Sequence, residues 1–217
     1  MTPSLAVFRA RLAGALLIVG SVCFWVTWAL MPMPGTRDAA FIMDAVSAAR
    51  SAVWLSCVVQ LLSAAVWAAA LVSLPEPTNQ RGQLMWWAGL ALLAVGMTGN
   101  SADAIFHLVA FELTHPDVAP AVGLQVMTRF QGPDLVLLLP TIAAFFAGLM
   151  LLAVAAVRAG FVARASLVGL ALVPFFGLGR ALLPGTGAPR VAALMALASL
   201  VSPMVWLGWS LLFRRDY

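Results

Sequence analysis

Six apolar runs, each about as long as a membrane-crossing helix requires, occupy most of this 217-residue chain. They lie at Leu12–Met31, Ser51–Leu74, Leu84–Phe111, Leu135–Val157, Ala165–Leu183 and Val191–Phe213. The segments between them (MPMPGTRD, PEPTNQR, ELTHPD, RAGFVAR and PGTGAPR) carry the prolines, glycines and charges of connecting loops. With 63% hydrophobic and 9% charged residues, the composition is far from that of a soluble domain. No length remains for a separate soluble catalytic domain. The expected fold is therefore an all-α polytopic bundle, one transmembrane domain over residues 1–217, with six transmembrane helices.

The twelve basic residues are all arginine and are scattered, with no run longer than Arg214-Arg215. That distribution excludes nucleic acid as a partner, which needs a clustered basic face. The lipid bilayer is the expected partner, together with a second membrane protein or another copy of the chain. Six spans place both termini on one side. That side carries Arg9, Arg11, Arg81, Arg158, Arg164, Arg214 and Arg215, against Arg37, Arg50, Arg129, Arg180 and Arg190 on the other. The bias points to cytoplasmic termini in a cell inner membrane. Arg9 and Arg11 ahead of an apolar run resemble a signal peptide, but Val22 occupies the position before Cys23 where lipoprotein cleavage needs a small residue. The run is expected to stay as the first helix. Trp25, Trp28 and Trp54 are expected at the outer interface, and Trp67, Trp86, Trp87, Trp206 and Trp209 at the inner one.

Polar residues inside the runs mark the candidate site. Asn100, Asp103 and His107 follow one another by three and four residues and form a single helical stripe about 10 Å long. A carboxylate at that depth costs about 2.5–3.5 kcal/mol on insertion scales, so Asp103 is expected to face the bundle interior with a partner. Asp103 can hold the His107 imidazole in one tautomer, or the two can share a proton or a metal; an interfacial His107 is the plainer alternative. His115, before Pro116, reads as a loop residue. Arg50 and Arg129 are candidates to neutralise Asp103 or to hold an anionic group, with Asp134 beside them, or else to snorkel towards headgroups. Asp44, Glu112 and Arg180 add charge to the same outer half. Ser56 and Gln60 on the second run can extend the polar pocket or make ordinary interhelical hydrogen bonds.

Between Asp117 and Gln131 the chain is too short and polar to span. Val122, Val126 and Phe130 recur there at four-residue spacing, which predicts a short amphipathic surface helix between spans three and four. Pro140, Pro174 and Pro203 are expected to interrupt helix hydrogen bonding, and Gly14 and Gly20 to allow close helix contact. Cys23 and Cys57 are expected to be free. The chain lacks HExxH, a Gly-x-Ser-x-Gly turn and a phosphate-binding GxxxxGK[ST] loop.

The opening RLAGALLIVG, the loop pattern ending in NQRG and the connection VRAGFVARASLVGLALV resemble a broad group of uncharacterised bacterial six-helix integral membrane proteins. The resemblance implies a bacterial inner-membrane location and a six-span layout, and it carries no activity or functional residue. Three functional readings stay open. The first is an accessory, binding or small transport module with an outward-facing polar pocket for a polar or lipid-like ligand. The second is a membrane-embedded hydrolase or isomerase using Asp103 and His107, with or without a metal. The third is a proton-coupled carrier protonated at Asp103. No cofactor is specified.

Overall fold

The computed structural model describes residues 3–32, 38–77, 82–132, 136, 138–182 and 188–213, with the backbone alone at 3, 177–182 and 188–189. The described chain is helical: α1 (Pro3–Leu30), α2 (Ala39–Ala48), α3 (Arg50–Ser73), α4 (Gln83–Leu113), α5 (Pro120–Gln131), α6 (Leu139–Arg158), α7 (Val168–Leu182) and α8 (Ala188–Phe213), with a 3₁₀ turn at Arg164–Leu167 before α7. Helices Ser4–Leu30, Arg50–Ser73, Gln83–Leu113, Leu139–Arg158 and Arg190–Phe213 are long and apolar enough to cross a membrane and suggest a membrane protein. Their outward faces agree with this. Leu62, Val72, Leu84 and Met150 are among many large apolar side chains left exposed, a surface that water would not tolerate but lipid would.

Neighbouring helices pack in the order α6, α4, α3, α1, α8, and α6 meets α8 to close a five-membered ring; α7 packs against α8. Two crossings are tight because both partners place glycine at the contact. A Cβ on Gly14 would come within 2.5 Å of the Gly208 carbonyl oxygen, fixing the α1–α8 approach. A Cβ on Gly148 would lie 2.6 Å from the Leu93 backbone nitrogen, and one on Gly89 2.8 Å from that of Leu152, so α4 and α6 nearly touch along their backbones. The core between the helices is built on Leu17, Trp67, Trp86, Leu93, Leu152 and Leu207. A smaller cluster of Val46, Val53, Cys57, Ala110 and Met127 joins α2 and α5 to α3 and the last turns of α4.

Several expectations are corrected. Trp67 and Trp86 are fully buried at 0% exposure and are core rings, not members of an interfacial belt; Trp25, Trp54, Trp87, Trp206 and Trp209 are exposed. Pro140 sits in the first turn of α6, where its missing N–H has no helical acceptor to lose, so it starts the helix without interrupting it. Pro174 and Pro203 do lie inside α7 and α8. The fourth run begins as helix at Leu139, and Leu135 and Leu183 lie outside the described residues. The fifth run forms a helix of 15 residues, shorter than the five membrane-length helices. A helix does stand at Pro120–Gln131, but it turns Gly123 and Met127 inwards, while Val122 is 52% exposed. Ala39–Ala48, which the apolar runs left unassigned, is a helix capped by Asp38, whose Oδ1 accepts from the Phe41 N–H at 3.1 Å.

Candidate functional site

One face of α3 carries three polar residues. Ser56, Gln60 and Ser63, spaced by four and three, share one side of the helix and are all buried. Ser56 donates to the Thr27 carbonyl at 2.8 Å and Ser63 to the Gly20 carbonyl at 3.0 Å, which ties α3 to α1. Gln60, between them, reaches the other neighbour, α4. Its Nε2 donates to Asp103 Oδ2 at 2.7 Å and to Asn100 Oδ1 at 3.1 Å, and its Oε1 lies 3.3 Å from His107 Nδ1. Donation from Nδ1–H of His107 to that oxygen satisfies both ends of the Gln60 amide. The predicted stripe of Asn100, Asp103 and His107 is thus gathered by one glutamine from the next helix.

His107 Nδ1 also lies 3.8 Å from Asp103 Oδ2, an ion-pair distance within one helical turn. Both are mostly buried, at 18% and 24% side-chain exposure for His107 and Asp103. The imidazole is held from its edges by aromatic rings: Trp28 stands nearly perpendicular at 5.9 Å between centroids and Phe106 at 6.1 Å. The Trp28 N–H is buried without a hydrogen-bond partner. Trp28 therefore belongs to the site and not to the outer interfacial belt expected from its position.

The arginines do not converge on this carboxylate. Arg50 Nη1 donates to the Phe111 carbonyl at 2.8 Å and to Thr114 Oγ1 at 2.5 Å, and its guanidinium lies over the Phe111 ring at 4.0 Å. It closes the C-terminal end of α4, where carbonyls lack helical donors and the helix dipole is negative. Arg129 is exposed in the last turn of α5 and makes no ion pair with Asp103. Asp134 lies outside the described residues. His115 is an exposed turn residue beside Asp117, its Nδ1 3.3 Å from Asp117 Oδ2. Cys23 and Cys57 are both free. Among the described residues no group of three or more His, Cys, Asp or Glu side chains converges at Asp103 and His107.

On its other side Asp103 borders a cavity of about 370 Å³ between α1, α4, α6, α7 and α8. Asn100 and Asp103 are its polar lining residues, and Gly96 and Gly99 on the same helix line it where α6 comes closest, a Cβ on Gly96 falling 2.5 Å from the Phe145 Cα. The remaining wall is apolar and strongly aromatic, with Phe24, Trp28, Phe145, Phe146 and Phe176. Phe24 and Phe145 stack at 5.1 Å between centroids, and Phe146 packs edge-on to Phe145 at 5.8 Å. Ile142 and Phe146 line the cavity and are also exposed on α6, so the space reaches the apolar surface of the bundle there. These aromatic residues were not legible as site residues, because a ring in a hydrophobic run carries the same signal whether it fills a core or borders a void.

Comparison with family models, curated proteins and solved structures returned no match to this chain.

Proposed function

We propose that this chain is a six-span, non-enzymatic membrane protein that binds an amphipathic, lipid-like molecule. The single observation that carries the reading is the cavity of about 370 Å³ with Asn100 and Asp103 as its polar lining residues and aromatic, apolar walls elsewhere. Small-molecule sites are typically concave, mostly apolar and supplied with a few polar groups that fix orientation, in the volume range of about 300–1,000 Å³. The exposed Ile142 and Phe146 at the rim give an apolar molecule a path from the bilayer without crossing water.

The sixth crossing is part of this reading, since α7 supplies Val173 and Phe176 to the wall. Ser210, near the end of α8, donates to the Phe161 carbonyl, and Arg190, near its start, donates to the Ala29 carbonyl at the end of α1. The segment from Phe161 to Arg190 must therefore travel the length of α8. Fifteen α-helical residues rise about 22 Å and the four-residue 3₁₀ turn about 8 Å, together near the thickness of a bilayer core. The arginine bias orients both termini to the cytoplasmic face of a bacterial inner membrane, with the cavity in the outer half and α5 as an amphipathic connector on the outer surface.

Native mass spectrometry of detergent-purified protein tests the binding reading. The wild type is expected to retain a small amphiphile, and Ala196→Phe, which places a ring in the cavity, to lose it. Equal retention by both proteins contradicts it.

A further inference from the structure

We propose that the occupant is a lipophilic cation, an amine or onium compound whose charge pairs with Asp103 while its apolar groups lie against the aromatic wall. This deepens, and rests on, the reading of the cavity as an amphiphile site. The sign of the ligand follows from the charges that face the space. Asp103 is the one ionisable residue among the described lining residues. Its hydrogen-bonding partner, Gln60, is neutral, and His107 stands at 3.8 Å with its Nδ1 nearer to Gln60 Oε1. Two described arginines on helices beside the site are engaged elsewhere: Arg50 on the Phe111 carbonyl and Thr114, Arg190 on the Ala29 carbonyl at 2.8 Å. A carboxylate inside a membrane bundle needs an opposite charge, and the described protein side chains supply no fixed one.

The wall adds an independent argument. Phe24, Trp28, Phe145, Phe146 and Phe176 line the same cavity as the Asp103 carboxylate, and aromatic rings beside an anionic group are the combination that recognises quaternary and tertiary ammonium groups through the ring quadrupole. A fatty acid or an anionic headgroup would meet Asp103 as a like charge in a low-dielectric space, and a neutral lipid would leave it unpaired. Asn100, the other polar lining residue, offers a neutral amide that tolerates a cation beside it.

Tetraphenylphosphonium and tetraphenylborate, two probes of the same shape and opposite charge, separate the possibilities. Binding is measured by equilibrium dialysis against the protein in phosphatidylcholine nanodiscs, with empty nanodiscs subtracted. The wild type is expected to bind the phosphonium saturably and the borate no more than empty discs do. Asp103→Asn, which keeps the side-chain volume, should weaken phosphonium binding about tenfold or more, and Asp103→Glu should retain it. Because the wild-type comparison stands alone, an Asp103 variant that fails to fold does not remove the test. Saturable binding of both ions, or of the phosphonium equally in Asp103→Asn, overturns the cation assignment and leaves the amphiphile site standing. Saturable binding of neither ion also overturns it, and the retained molecule in wild type against Ala196→Phe then decides whether the amphiphile reading falls too.

Discussion

Gln60 is the residue through which the polar centre is assembled. Its one amide serves Asn100, Asp103 and the His107 ring, so its loss orphans three groups at once. Leaving a buried polar group without its partner costs about 1–3 kcal/mol, more for a charged one, whereas replacing both partners with apolar side chains can be nearly neutral. Gln60→Leu is therefore expected to destabilise the protein by about 1–3 kcal/mol. The double variant Gln60→Leu with Asp103→Leu should recover much of that loss, as read from denaturant unfolding in mixed micelles. Strict additivity of the two single effects would mean that the hydrogen bond does not couple them. At this scale the sequence was informative. A carboxylate, an amide and an imidazole at helical spacing inside an apolar run are too costly to be accidental, and Gln60 stood out by the same logic. Arg50 misled, because a guanidinium assigned to the same half of the membrane as a buried carboxylate reads as its counter-ion, while the geometry that decides is the unsatisfied end of α4.

Helix ends in this protein are closed by arginines reaching from neighbouring helices. Arg50 from α3 takes the Phe111 carbonyl of α4, Arg9 from α1 takes the Val72 carbonyl of α3 at 3.3 Å, and Arg190 from α8 takes the Ala29 carbonyl of α1. Each satisfies a carbonyl that the last helical turn leaves free, and each places positive charge on the negative end of a helix dipole. Arg50 also makes a second hydrogen bond and lies over the Phe111 ring. Arg50→Ala is expected to cost about 1–2 kcal/mol and to raise amide exchange in the last turn of α4. No change in exchange across residues 109–114 would contradict the capping role. At the α4–α6 crossing, Gly148→Leu should destabilise by about 1–3 kcal/mol or more, since the added side chain meets the Leu93 backbone; a lowered midpoint of thermal aggregation reads it out. Element positions were legible wherever the apolar run was long. α2 was not, because ten residues, eight of them apolar, after a charged loop read equally as connector and helix, and only the Asp38 cap distinguished them. Nor could the run of α5 show which of its faces would turn inwards, since Val122 and Met127 are equally apolar and packing chose Met127.

For the whole molecule, the five membrane-length helices lie where five of the six apolar runs predict them, whereas the cavity has no such signal. A void arises where facing helices fail to fill space, here between the tightly joined α4–α6 pair and the α7–α8 pair, and no single run records that relation. The proposed crossing by α7 has its own test. In a background lacking Cys23 and Cys57, single cysteines at Glu76 and Gly160 are expected to react with a membrane-impermeant maleimide from one side, and those at His115 and Arg190 from the other. Reaction of Arg190→Cys from the Gly160 side would mean that α7 does not cross.

Photolabelling reads directly whether an amphiphile occupies the space beside Asp103. A diazirine-bearing alkylamine in proteoliposomes is expected to label peptides covering residues 96–103, 142–146 and 193–200, with labelling suppressed by unlabelled amine and by Ala196→Phe. Labelling confined to the outward faces around Trp54, Val58 and Leu62, and unchanged in Ala196→Phe, would contradict the account.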